Sequence, residues 1–295
     1  MIRLAVISGK GGTGKTMITA ALAHLQTKSL VLADCDVDAA NLELVLRPTL
    51  IRTEPFMGMK AAVIDPALCV QCGECTEHCR FAAVDFDSNG YHVNPLRCEG
   101  CAICAYVCPA TAISMQPRQT GEIRYSATEH GPLVHARLVP GAGNSGLLVH
   151  AVKKLAQEEN PDRDLFLIDG PPGTGCPLIS TISGVDHVLI VTEPSVSGLH
   201  DLKRVVAVSR QFHPRIAVAI NRFDLDPALS ETIKTWCQAG NIPVIGMIPF
   251  DAAVIASVRN GVPVTADGSS PAAQAIQILA SNLEREWEND TDTRN

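Results

Sequence analysis

The sequence predicts an α/β protein whose mostly parallel, doubly wound sheet is interrupted by a small inserted domain. Apolar runs alternate with helix-like segments along most of the 295 residues, and this alternation builds a parallel sheet covered on both faces. A glycine-rich loop follows the first apolar run, and a duplicated cysteine pattern breaks the alternation between about residues 60 and 118. With 46% hydrophobic and 19% charged residues, the chain has the composition of a globular protein.

The predicted strands are apolar, rich in β-branched residues, and end in polar or turn residues. They cover residues 2–8, 29–36, 164–175, 185–194, 215–224 and 241–250. Helical segments are predicted over residues 16–25, 147–158, 198–211, 226–239 and 271–288. Ligands of such sheets bind at the carboxyl ends of the strands, so we expect the functional residues there.

An internal repeat occupies the cysteine-rich segment. "DPALCVQCGECTEHCRFAAV" (65–84) aligns with "NPLRCEGCAICAYVCPATAI" (94–113), and between the halves "FDSNGYHV" predicts a hairpin that turns at Asn89-Gly90. Residues 119–146 are expected to form short strands and a glycine-rich return to the main domain. The predicted organisation is a discontinuous domain of residues 1–60 and 119–295, with an inserted domain of residues 61–118.

The glycine-rich loop fits the phosphate-binding pattern G-x-x-x-x-G-K-[ST] between a strand and a helix. Its predicted phosphate-binding residues are Gly9, Gly11, Gly12, Thr13, Gly14, Lys15 and Thr16. Glycines let backbone N–H groups surround phosphate oxygens, and the helix N-terminus adds positive potential. We expect Lys15 to reach the β- and γ-phosphates of ATP or ADP, and the Thr16 hydroxyl to bind Mg²⁺.

The loop carries a second lysine, and "GKGGTGKT" resembles the deviant Walker A loop of the superfamily of MinD, Mrp and the nitrogenase iron protein. The resemblance implies that Lys10 reaches the phosphates of a nucleotide held by a partner subunit, and so implies an ATP-bridged homodimer. Such a cation neutralises charge that develops on the transferred phosphoryl group. The alternative is that Lys10 is a solvated loop charge.

Further segments resemble the same superfamily. "DCDVDAANLE" is similar to its first switch, which implies that Asp34 lies near Mg²⁺ and that Asp36 orients the attacking water. "LFLIDGPPGTG" is similar to the Walker B strand and second switch, with Asp169 on the Mg²⁺ side; Cys176 departs from the acid common there. The implied adenine contacts are Asn221, Arg222, Pro249, Phe250 and Asp251, for which ordinary turn chemistry is the alternative.

Eight of the eleven cysteines follow the spacing of bacterial ferredoxins in duplicate. This spacing predicts two [4Fe–4S] clusters, in which the fourth cysteine of each run serves the other cluster. The expected ligand sets are Cys69, Cys72, Cys75 and Cys108 for one cluster, and Cys98, Cys101, Cys104 and Cys79 for the other. Zinc is the competing metal, but a zinc site needs only two C-x2-C pairs. It gives no reason for the third cysteine at x2 or for the duplicated cysteine at x3. The segment thus resembles an α+β bacterial ferredoxin domain, with Arg80 in place of the usual proline.

The formal net charge of −7 argues against nucleic acid or an anionic membrane as partner. The apolar runs are too short to span a bilayer, so we expect a cytoplasmic protein, and clustered cysteines in that compartment favour metal over disulfides. The nine histidines show no metal-ligand spacing and no triad pattern.

Together the resemblances imply a slow, partner-stimulated ATPase whose dimer switch is coupled to a ferredoxin module. The first hypothesis is ATP-gated electron transfer to a redox partner. An alternative is an assembly or maturation ATPase that delivers metal or clusters to a metallocluster-client protein. A further alternative is a MinD-like partitioning or positioning switch.

Overall fold

A nine-stranded sheet forms the centre of the computed structural model, which describes residues 1–139, 141–143 and 145–292. The strands of this sheet are β1 (Ile2–Ser8), β2 (Leu30–Asp34), β3 (Thr49–Met57), β8 (Gln119–Thr128), β9 (Gly131–Leu138), β10 (Leu165–Pro172), β11 (His187–Thr192), β12 (Arg215–Asn221) and β13 (Val244–Ile248). Their order is β13-β12-β11-β1-β10-β2-β9-β8-β3. Every neighbouring pair from β13 to β9 is parallel, and only β8 runs antiparallel to its neighbours.

Helices cover both faces of the sheet. They are α1 (Lys15–Leu25), α2 (Leu42–Leu46), α5 (Ser145–Glu158), α6 (Cys176–Ile182), α7 (Val196–Ser209), α8 (Pro227–Ala239), α9 (Ala252–Asn260) and α10 (Pro271–Asp292). Strand β1 shows why two faces are buried: Leu4 and Val6 pack with α1 and α10, whereas Ala5 and Ile7 point to the opposite core with α5 to α8. The predicted doubly wound α/β fold is confirmed.

The region after the cysteine-rich segment differs from the expectation. Residues 119–146 were expected to hold short strands, but β8 and β9 form a long antiparallel pair that extends the main sheet. Strand β3, which the sequence analysis missed, pairs with β8 as the outer strand. Met57 lies opposite Gln119, so β3 and β8 carry the chain into and out of the cysteine-rich segment. Within the expected glycine-rich return, residues 140 and 144 lie outside the described residues.

The sequence repeat becomes a structural repeat. Its first half is β4 (Ala61–Ile64), α3 (Glu74–Glu77) and β5 (Val84–Asp87), and its second half is β6 (Gly90–Val93), α4 (Ile103–Tyr106) and β7 (Ile113–Gln116). The halves interlock, because β4 pairs with β7 and β5 pairs with β6. Their shared core includes Ala62, Ala83 and Cys75. The division into two domains remains a proposal.

Left-handed backbone positions also recur in both halves. Ala82 has φ 46° and its counterpart Thr111 has φ 48°. In each half the last cysteine accepts a backbone N–H from the residue four positions on, over 3.3 Å. The predicted hairpin exists, but its turn is one residue earlier than expected: Asp87 pairs with Gly90, so Ser88 and Asn89 form the turn.

Within the described part of the chain, no helix combines the length and apolar character needed to cross a membrane.

Candidate functional site

The glycine-rich loop follows β1 and opens α1, in the position predicted for it. It lines a cavity of about 580 Å³ together with Asp36, Asn41 and Pro172. A Cβ built on Gly11 or Gly12 would meet nothing within 4 Å, so their backbones border open space. A backbone that a ligand can approach this closely, at a helix N-terminus, suits phosphate oxygens.

Lys15 and the predicted magnesium-side residues meet at the adjacent ends of β2 and β10. The Lys15 Nζ lies 3.1 Å from Oδ1 of Asp169 and 3.6 Å from Oδ2 of Asp36. The Thr16 hydroxyl donates to Asp169 Oδ2 over 2.6 Å. Asp34 stands directly opposite Asp169 in the parallel pairing of these strands. The structure therefore brings together Lys15, Thr16, Asp34, Asp36 and Asp169, five of the side chains that the sequence assigned to phosphate and Mg²⁺ chemistry.

Burial and mutual repulsion shape the charges of this cluster. Burial, followed by the nearby Asp169 carboxylate, raises the pKa of Asp34 to about 8, although Lys15 opposes the shift. Burial also raises the pKa of Asp36. The pKa of Lys15 is raised, because the carboxylates outweigh the opposing effect of burial. A divalent cation would favour the ionised carboxylates, so this donor set fits Mg²⁺ and a phosphate chain.

Asp34 also organises the segment that follows β2. Its carboxylate accepts the backbone N–H of Asp36 over 3.1 Å and that of Leu42, the first residue of α2, over 3.0 Å. Cys35 between the two acids is fully buried. The side chain of Asp34 is thus linked to both Asp36 and the start of α2.

Lys10 does not extend into solvent. Its Nζ lies 2.6 Å from Oε1 of Glu193, just beyond β11, and donates to the hydroxyls of Ser195 and Ser197 over 2.9 and 3.1 Å. Glu193 could not be recognised from the sequence, because an acid after a strand has no distinctive spacing. Lys10 must exchange these contacts for phosphate oxygens if it acts on a partner's nucleotide.

The predicted adenine-side residues lie on two adjoining loops. Asn221 is buried, and its side-chain amide donates to the backbone oxygen of Thr13 over 2.7 Å. The N–H of Phe250 donates to Asp224 over 2.7 Å, which joins the loop of Pro249, Phe250 and Asp251 to the loop after β12. Arg222 contacts Glu193 over 3.3 Å. Asn221 therefore supports the phosphate loop, a contact that the sequence analysis did not anticipate.

The eight clustered cysteines line two small pockets. The first is lined by Cys69, Cys72, Cys75 and Cys108, among other residues. The second is lined by Cys79, Cys98, Cys101 and Cys104, among other residues. Each cavity thus receives three cysteines from one half of the repeat and the last cysteine from the other half. These are the two sets that the spacing predicted.

The fold brings together two histidines that no sequence spacing connects. They have no metal spacing in sequence, yet the fold places His24 and His130 beside Glu129, with one ligand atom from each within 4.8 Å of the others. Histidines more than 100 positions apart cannot be joined by a spacing rule.

Three comparisons place this geometry among known proteins. The family described as the CobQ/CobB/MinD/ParA nucleotide binding domain matches residues 4–264. The chain belongs to the CobQ/CobB/MinD/ParA nucleotide-binding domain family. An uncharacterised protein of Methanocaldococcus jannaschii is 31% identical over 287 residues, covering 96% of each chain. The septum site-determining protein MinD of Thermotoga maritima is 24% identical and covers 96% of this chain and 88% of its own.

A solved structure agrees with this family assignment at the level of the fold. The septum site-determining protein MinD of Pyrococcus horikoshii, complexed with Mg-ADP, matches with a TM-score of 0.57 and 19% identity, over 96% of this chain and 95% of that one. Membership of the CobQ/CobB/MinD/ParA family confirms the predicted superfamily. The inserted ferredoxin domain stays a prediction, because these comparisons concern nucleotide-binding proteins.

Proposed function

We propose that the chain is a MinD-type switch that binds Mg–ATP, closes as a nucleotide-bridged homodimer and hydrolyses ATP slowly. The convergence of Lys15, Thr16, Asp34, Asp36 and Asp169 beside the glycine-rich loop carries this proposal. Two of the three proteins named above are septum site-determining proteins, which favours a positioning switch over electron transfer as the class of function.

The residues then take the following roles. Backbone N–H groups of the loop and Lys15 would hold the phosphates, and Thr16, Asp169 and Asp34 would hold a Mg²⁺ ion that neutralises phosphate charge. Asp36 stands 3.6 Å from the Lys15 ammonium and orients the attacking water. Lys10 of one subunit stabilises charge on the nucleotide of the other. The loops after β12 and β13 flank the base.

A second element of function is specific to the cysteine-rich segment. We propose that it holds two [4Fe–4S] clusters, one in each four-cysteine cavity. Each cavity is lined by three cysteines of one half of the repeat and by the last cysteine of the other half. This supports the proposal, because in two-cluster ferredoxins the fourth cysteine of each run binds the other cluster. ATP-gated electron transfer and cluster delivery to a client remain the two candidate uses of such clusters.

Zinc fits the same cysteines less well. A four-coordinate zinc site is complete with two C-x2-C pairs. The third cysteine at x2 and the repeated cysteine at x3 would then have no role.

A short chain of contacts connects the two parts. Asp34 binds the first N–H of α2, and the next residue, Glu43, contacts Arg137 on β9 and Arg124 on β8. Strand β8, with β3, leads directly into the cysteine-rich segment. A change at Asp34 on nucleotide binding therefore has a path of polar contacts to β8, the strand by which the chain leaves that segment.

Sedimentation of the anaerobically purified chain tests the switch. Mg–ATP is expected to convert monomer to dimer, most clearly in Asp36→Asn, which should bind but not hydrolyse; Lys28→Ala, at an exposed position, serves as the control. A mass that ignores ATP in all three proteins would contradict the dimer. Iron and acid-labile sulfide should each approach about eight per chain, and zinc in their place would contradict the clusters.

A further inference from the structure

A second cluster of possible metal ligands lies at the far end of α1 from the phosphate loop. His24 is in the last turn of α1, and Glu129 and His130 form the turn between β8 and β9. We call these three residues the histidine cluster. At about 1.5 Å of rise per residue, His24 stands roughly 12 Å along the helix from Thr16. The histidine cluster is therefore separate from the nucleotide cavity.

We propose that the histidine cluster binds a divalent transition-metal ion, and that Zn²⁺ fits it best. One ligand atom from each residue lies within 4.8 Å of the other two. The Nε2 of His130 is 3.2 Å from Oε1 of Glu129, close to the roughly 3.3 Å that separates nitrogen and oxygen ligands around tetrahedral zinc.

Two buried nitrogens without a hydrogen bond point to a ligand. Nδ1 of His24 and Nε2 of His130 are both buried, and neither makes a hydrogen bond within the described chain. The Glu129 carboxylate lies 3.2 Å from Nε2 of His130, but not in hydrogen-bond geometry. A buried ring nitrogen without a partner costs free energy, which a coordinated metal would recover. The rings stand nearly perpendicular, at 83°, with centroids 5.4 Å apart. This edge-to-face contact is itself favourable, but it leaves the two buried nitrogens without a hydrogen bond.

The turn that carries Glu129 and His130 is held in place. The Thr128 hydroxyl accepts the backbone N–H groups of His130 and Gly131, each over 3.1 Å, and donates to the Gly131 oxygen. Gly131 has φ 146°, and a Cβ there would lie 2.4 Å from the oxygen of Leu30. The turn therefore sits directly against the start of β2, which keeps His130 next to His24.

The chemistry of the three groups selects the metal class. Two imidazoles and one carboxylate suit zinc and its neighbours, whereas Mg²⁺ and Ca²⁺ prefer oxygen ligands. The carboxyl end of α1 also favours a cation. The Glu129 side chain is 75% exposed, which leaves the solvent side open for water as a fourth ligand. A bound ion would fasten the β8–β9 turn to α1.

Zinc retention by the full chain tests the site. Anaerobically purified protein is given Zn²⁺, freed of excess by desalting, and analysed for zinc per chain, with chelator competition for affinity. The variants are His130→Gln and the mostly exposed Glu129→Gln; His150→Gln, at an exposed position of α5, is the matched control. X-ray absorption at the zinc edge separates nitrogen and oxygen ligands at about 2.0–2.1 Å from sulfur at about 2.3 Å.

The wild type and His150→Gln should retain about one zinc ion more than His130→Gln, surrounded by nitrogen and oxygen. Glu129→Gln should weaken zinc affinity by at least about tenfold. Equal zinc content and affinity in all four proteins, or a wild-type spectrum with sulfur ligands alone, would overturn the proposal. This comparison holds whether or not the cysteines carry clusters, because it measures a difference between chains with identical cysteines.

Discussion

Replacing Lys10 and its partner Glu193 separately distinguishes two roles for the second loop lysine. Lys10 Nζ lies 2.6 Å from Glu193, and both side chains are partly exposed, at 28% and 20%. An ion pair of this kind contributes about 1 kcal/mol or less. Releasing Lys10 from Glu193 therefore costs a factor of about five at most. A cation that acts on a partner's nucleotide contributes far more, about 10³-fold or above in turnover for an arginine finger.

Lys10→Ala should accordingly lower ATP turnover by at least about 100-fold while Mg–ATP still binds. Glu193→Gln should change turnover by no more than about fivefold, because it loosens only partly exposed ion pairs, with Lys10 and with Arg222. The assay is phosphate release at saturating Mg–ATP, with nucleotide affinity measured separately and Lys28→Ala as control. Equal effects of the two variants would show that Lys10 serves only its own chain. Unchanged turnover in Lys10→Ala would remove the trans role altogether.

Three further predictions concern the framework of the site. Lys153→Met removes an ammonium that donates to three carbonyls at the C-terminal end of α6, over 2.6–2.8 Å, so the free energy of unfolding in urea should fall by about 2–4 kcal/mol; a loss below about 0.5 kcal/mol would contradict this. Backbone N–H groups at the starts of α10 and α9 lower the pKa of Asp251. The ionised Asp251 carboxylate therefore adds to the free energy of unfolding above the unfolded pKa of about 4, and this stabilisation is lost as pH falls through the lower folded pKa. The stability gap between wild type and Asp251→Asn should therefore narrow from pH 7 to pH 3, and a constant gap would argue against the contact. Gly14→Ala forces a side chain at φ 90°, where its Cβ would lie 2.3 Å from Asn221, so Mg–ATP affinity should fall at least about tenfold; binding as tight as in the wild type would refute this.

The elements around the nucleotide cavity were predictable because each carries a local signal. Strand β1 is an apolar run that ends at the glycine-rich loop, and α1 starts at the lysine of that loop. Asp34 and Asp169 each end an apolar run, and parallel strands bring such ends to one edge of the sheet. The cysteine spacing was equally informative, since the two cavities receive the predicted sets.

Strand β3 lacked a comparable signal. Its residues are exposed along most of its length and include Pro55, so neither alternation nor a buried run marks it. Proline is tolerated there because β3 is the outermost strand. The hairpin turn was misplaced by one residue, since Gly90 takes a left-handed conformation within the strand and not in the turn.

Contacts between distant residues were beyond sequence reasoning. Glu193 meets Lys10, and His130 meets His24, only because the sheet order places β11 beside β1 and the β8–β9 turn against β2. No spacing rule connects residues that lie more than 100 positions apart. The support that Asn221 gives to the phosphate loop was hidden for the same reason.

The central claim is that nucleotide state reaches the cysteine-rich segment, and a redox titration tests it most directly. The solution potential is varied for the anaerobically purified chain, once with saturating Mg–ADP and once with a non-hydrolysable Mg–ATP analogue. Electron paramagnetic resonance follows the reduction of the proposed clusters in each titration. The midpoint potentials or line shapes should differ between the two nucleotides in the wild type, and Glu43→Gln, which weakens the contacts of α2 with β8 and β9, should reduce that difference. Identical potentials and spectra with both nucleotides would contradict any coupling between the two parts.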